Sequence, residues 1–79
     1  METAAQMVLI IPGTNQYLSP GNKVKLSRFS NDRWIVGYDW YTWGGNRPVC
    51  GWYLIDSNDP EIVKPLHLAD LADIYIIEQ

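Results

Sequence analysis

The sequence predicts an all-β domain, a small and partly open barrel of five to six short strands with one short helical turn before the last strand. Three observations lead there. Turn signals recur at short intervals, at Pro12-Gly13, Ser19-Pro20-Gly21-Asn22, Ser30-Asn31-Asp32 and Asp56-Ser57-Asn58-Asp59-Pro60. The stretches between them are rich in β-branched and aromatic residues, and several alternate inward apolar with outward polar positions. No segment carries a 3.6-residue periodicity long enough to build a helical core. The chain has 79 residues, room for one domain, and its 47% apolar and 19% charged residues are those of a packed chain rather than a disordered one. A domain of this size buries only about 60% of the surface that its unfolded chain exposes, so its margin of stability is thin. The fold is expected over residues 7–79, with residues 1–6 a disordered leader.

Met7-Val8-Leu9-Ile10-Ile11 reads as a first strand, buried or at an edge, stopped by Pro12-Gly13. After the Ser19-Pro20-Gly21-Asn22 turn, Lys23-Val24-Lys25-Leu26-Ser27 alternates strictly, which puts Val24 and Leu26 inward and both lysines outward. The next strand begins at Trp34 and runs towards Trp43. One of its faces carries Trp34, Val36, Tyr38 and Trp40, and the other carries Ile35, Asp39, Tyr41 and Trp43. Gly37 falls where a close approach or a bulge needs a missing side chain. Gly44-Gly45-Asn46-Arg47 is read as a compact hairpin loop. The return strand places Val49, Gly51, Tyr53 and Ile55 on one face and Cys50, Trp52 and Leu54 on the other, with Pro48 making its start unpaired or an edge. Ile62 to Leu68 is a strand interrupted by Pro65, residues Ala69 to Asp73 suit a single helical turn, and Ile74 to Glu78 form the last strand.

Leu18-Ser19-Pro20-Gly21-Asn22-Lys23-Val24-Lys25-Leu26 resembles the opening of SH3-like barrels of the KOW and Tudor type, in which a Pro-Gly turn leads into an alternating basic strand. The helical turn before Ile74 is similar to the last connection of those modules, so the resemblance spans residues 18–78. It implies a binding module of barrel layout. The Trp-rich hairpin has no counterpart in the KOW pattern, so nucleic-acid binding does not carry over with the layout. In style the whole chain also resembles small accessory proteins encoded by bacteriophages.

The formal net charge of −3 argues against a protein built to grip a duplex phosphate backbone, an affinity supplied mainly by Lys and Arg. Four of the six basic residues, Lys23, Lys25, Arg28 and Arg33, nevertheless fall early in the chain. They leave open a basic patch, against which stands an ordinary solvated strand face. One cysteine, Cys50, cannot form an internal disulfide, and the start lacks a signal-peptide pattern, so a reducing cytoplasm is expected. The apolar run from Met7 to Ile11 is far short of the ~20 residues that span a bilayer.

Catalysis is not expected. His67 and Cys50 are the single histidine and cysteine, and their neighbours build neither a strained nucleophile turn nor an oxyanion site. Cys50 reads better as a small buried hydrophobe. His67, Asp70 and Asp73 recur every three residues, a spacing that could gather metal ligands, but Asp70 equally suits a cap for a short helical turn. Asp39 and Asp56 would pair only under one particular register. No cofactor motif is present, and neither a cofactor nor a metal is expected.

The sharper signal is the hairpin. Trp40, Tyr41, Trp43, Asn46, Arg47 and Trp52 combine rigid aromatic contact area with an amide and a guanidinium able to stack or to bond a carboxylate or phosphate. That mixture suits a partner protein, the expected ligand, and alternatively a nucleotide whose base stacks on a ring while Arg47 takes the phosphate and Asn46 reads an edge. The competing reading is that these rings are simply core. A nucleic-acid-binding barrel and a homo-oligomeric structural subunit are the remaining alternatives.

Overall fold

A computed structural model of the chain describes residues 8–38 and 51–78. It is all-β. Strands β1 (Leu9–Ile10) and β2 (Tyr17–Leu18) form a two-stranded antiparallel sheet. Strands β3 (Lys23–Lys25), β4 (Trp34–Tyr38), β5 (Trp52–Asp56), β6 (Val63–Pro65) and β7 (Tyr75–Glu78) form a five-stranded antiparallel sheet in the order β6-β5-β4-β3-β7. Among the described residues the sheets are not closed into a barrel. A 3₁₀ turn over Leu68–Ala72 stands directly before β7, where the helical turn was expected. No helix among the described residues is long and apolar enough to cross a membrane.

The strand total exceeds the expected five to six because the Gln16 to Leu18 segment pairs back onto Leu9 and Ile10, making a strand too short to show alternation. Its turn is tied by Ile11 N donating to Gln16 O at 3.0 Å, with Thr14 Oγ1 capping Ile11 O at 2.9 Å. The second turn follows its residue chemistry closely. Asn22 N donates to Ser19 O at 3.1 Å around Pro20 and Gly21, and Gly21 has φ +97°, the geometry of a type II turn. The Asn22 side chain is buried and accepts from Ser19 N at 2.8 Å, while Gly21 N and Asn22 O bond across to Val36. A Pro-Gly turn is thereby fastened to the central strand β4.

Alternation places Val24 inward, as expected, and selects one of the two apolar faces of each of the next two strands. Val24 from β3, Trp34 and Val36 from β4, and Trp52 and Leu54 from β5 are buried, joined by Ile11 and Leu18 from the small sheet and by Leu66 and Leu71 around the 3₁₀ turn. Leu26 and Ile76 pack against this cluster. Strands β4 and β5 pair from Trp34 with Asp56 to Tyr38 with Trp52. Gly37 lies opposite Tyr53 in that register, and the Tyr53 ring occupies the space a Cβ at Gly37 would need. The expected close approach is therefore an aromatic ring laid over a glycine.

Candidate functional site

Of the hairpin residues singled out from the sequence, Trp40, Tyr41, Trp43, Asn46 and Arg47 lie outside the described residues, as do Asp39 and Cys50. Trp52 is described, at the root of the connection between β4 and β5. Its indole is 2% exposed and belongs to the core, meeting the Tyr38 ring edge to face with centroids 5.1 Å apart. Trp52 is thus a core residue and offers no free face of its own.

The described residues gather a different set of chemical groups around the loop between β3 and β4. Ser30 Oγ accepts from Ser27 N at 3.2 Å and donates to Asp32 Oδ1 at 2.5 Å, and Ser30 N donates to Ser27 O at 3.1 Å. Asp32 also accepts from Leu26 N at 3.3 Å and from the Trp34 indole Nε1 at 3.0 Å. Burial pushes the Asp32 carboxyl up, but the hydrogen bonds from Ser30, Trp34 and Leu26 outweigh it and hold the group below its ordinary value. Ser27 Oγ takes the Phe29 amide at 3.0 Å, and Lys25 Nζ donates to Arg28 O at 3.1 Å. The side chains of Ser27, Ser30 and Asp32 are all used to fix the loop's shape.

What that fixed loop presents is apolar and cationic. Phe29 is 87% exposed, more than any other large hydrophobic side chain among the described residues. The Arg28 guanidinium stands 5.6 Å from its ring centroid, and the Lys25 ammonium 5.7 Å from that of Tyr75, within cation–π range. Residues 27–29 face residues 72–75 across a cleft of about 240 Å³. Of the four early basic residues, Arg28 lines this cleft and Lys25 stands beside it, bonded to the Arg28 carbonyl and near the Tyr75 ring. Lys23 sits at the far end of β3, in register with Glu78, and Arg33 precedes β4, its carbonyl accepting from Ser57 N.

Around the 3₁₀ turn, the Asp70 carboxylate accepts from His67 N at 3.0 Å while Asp70 N donates to His67 O at 3.0 Å. Asp70 is thus the cap that its spacing allowed. Asp56 likewise closes its own turn, accepting from Asn58 N at 2.8 Å. The Lys64 ammonium lies 4.6 Å from the Trp34 ring and covers the outer side of the core there.

The signal that sequence reasoning passed over was Ser27, Ser30 and Asp32 at spacings of three and two, followed by Trp34. Short polar side chains at those spacings bond amides two and three residues away and stiffen a loop. No family model, no curated protein and no solved structure matches the chain.

Proposed function

We propose that this chain is a non-catalytic binding module of SH3-like layout that takes a protein partner. The observation that carries the reading is Phe29, a large apolar side chain held in water by a loop whose hydrogen bonds leave it little freedom to withdraw. Exposing such a ring has a hydrophobic cost, and rigid presentation beside an arginine is the composition of an interface anchor. The SH3-like layout is supported by β7 returning to pair with β3 and by the 3₁₀ turn immediately before it. The aromatic hairpin with Asn46 and Arg47 is a second contact surface of the same module. A small accessory or inhibitory protein of bacteriophage type, acting on a host component in the cytoplasm, fits a domain of this size.

Nucleotide binding by the hairpin is the rival reading, and one experiment separates the two. Native mass spectrometry of the purified chain, paired with affinity capture using the wild type, Phe29→Ala and Arg47→Ala, is expected to show no retained nucleotide. It should also show a specific protein that is lost from one or both variants at unchanged melting temperature. A retained nucleotide released by Arg47→Ala would replace the protein-binding reading. A stable homo-oligomer that buries Phe29 would replace it with the structural one.

A further inference from the structure

We infer that the module's partner is an acidic extended segment that adds as a strand to the outer edge of β7 and seats an apolar side chain in the cleft beside Phe29, with a carboxylate on Arg28. The inference rests on the protein-binding reading and names the chemistry of its ligand. Strand β7 is terminal in the five-stranded sheet and has no hydrogen-bonded neighbour on its outer side among the described residues. An edge strand leaves a row of N–H and C=O groups that an incoming backbone can pair with. Tyr75 begins that strand, is 49% exposed, and also lines the cleft, so one side chain belongs both to the edge strand and to the apolar seat. A segment pairing with β7 projects every second side chain towards one face, where it can pack on the exposed Tyr75 ring at the cleft's rim.

Charge selects the ligand. The Arg28 guanidinium stands over the Phe29 ring and meets no carboxylate within ion-pair distance among the described residues. Lys25 adds a second positive charge at the Tyr75 side of the cleft. Arginine presents a planar fork that matches a carboxylate, so a partner's Asp or Glu is the natural complement. A run of phosphates is disfavoured, because a sugar-phosphate backbone has no alternating N–H and C=O groups to pair with the β7 edge. An acidic peptide uses both the edge and the cation, whereas a single-stranded nucleic acid uses only the rings and the cation.

The test screens the full chain against a displayed library of random twelve-residue peptides and titrates the enriched peptides by NMR near physiological salt. Enriched sequences should alternate apolar with acidic residues. They should shift and protect amides of residues 74–77, bind less tightly as salt rises, and weaken about tenfold or more with Arg28→Ala. Phe29→Ala should weaken them comparably without lowering the melting temperature, and Arg47→Ala should change affinity by less than about twofold. Enriched peptides that shift β7 little and depend on Arg47 instead would overturn this inference while keeping the protein-binding reading. Basic or charge-indifferent enriched sequences, or no enrichment at all, would overturn it too. So would an oligothymidylate that binds through Arg28 more tightly than any peptide.

Discussion

Asp32 shows how one side chain can set the shape of a functional loop. Both of its carboxylate oxygens accept hydrogen bonds, Oδ1 from Ser30 and Leu26 and Oδ2 from the Trp34 indole, so the residue joins the loop to the first residue of β4. Asparagine keeps one acceptor and would turn its amide donor towards another donor. The carboxylate is only partly buried, so Asp32→Asn should destabilise the fold by about 0.5–1.5 kcal/mol. The pH dependence follows from the lowered pKa in the folded chain. A carboxyl with a depressed folded pKa contributes its stability in full above the ordinary aspartate value of about 3.9, and loses it as pH falls through the lower folded value. Urea unfolding of the wild type and Asp32→Asn should show a clear midpoint gap at pH 7 that narrows in acid. An equal gap at pH 7 and below pH 3 would remove Asp32 ionisation from the account.

At the scale of elements, β4 and β5 form the longest pairing among the described residues, and Gly37 meets the Tyr53 ring one pair in from its Tyr38 and Trp52 end. A methyl at Gly37 displaces the Tyr53 ring, at about 1–3 kcal/mol for an overpacked contact. Once the ring is gone, the methyl should cost little. A double-mutant cycle is thus expected to find Gly37→Ala destabilising in the wild type and nearly neutral in a Tyr53→Ala background. Additive effects would place the strain in the backbone instead. These two strands were legible as strands, because Trp34 to Tyr38 and Trp52 to Ile55 are dense in β-branched and aromatic residues, but with both faces apolar the sequence did not say which one is buried. Strand β2 was not legible, since two residues carry no period. The cleft was hidden for a different reason. It joins the loop after β3 to the chain before β7, some forty-five positions away, and only the pairing of Lys25 with Tyr75 brings them together. Phe29, a lone aromatic in a polar turn, gave no pattern to read. The hairpin from Trp40 to Arg47, conspicuous in composition, lies outside the described residues.

On the scale of the whole molecule, the two sheets differ in size yet draw on one core. Ile11 and Leu18, at the ends of the small sheet's strands, are buried in the same cluster as Val24, Val36, Trp52 and Leu54 of the large one. Cooperativity follows from that sharing, because neither sheet retains a complete apolar face without the other. For a chain this short the total stability is on the order of 4–12 kcal/mol. Removing the fully buried Leu18 side chain, at about 2–5 kcal/mol, takes a large share of it. Leu18→Ala should therefore lower the melting temperature of the entire domain in a single transition that far-ultraviolet circular dichroism and tryptophan fluorescence report together. Amide exchange in β4 and β5 should speed up by the factor that this lost stability sets, although both strands lie in the other sheet. If Leu18→Ala accelerated exchange only in β1 and β2 and left β4 and β5 protected as before, the small sheet would be an independently opening flap. The cleft and β7 would then keep their geometry whatever that flap did.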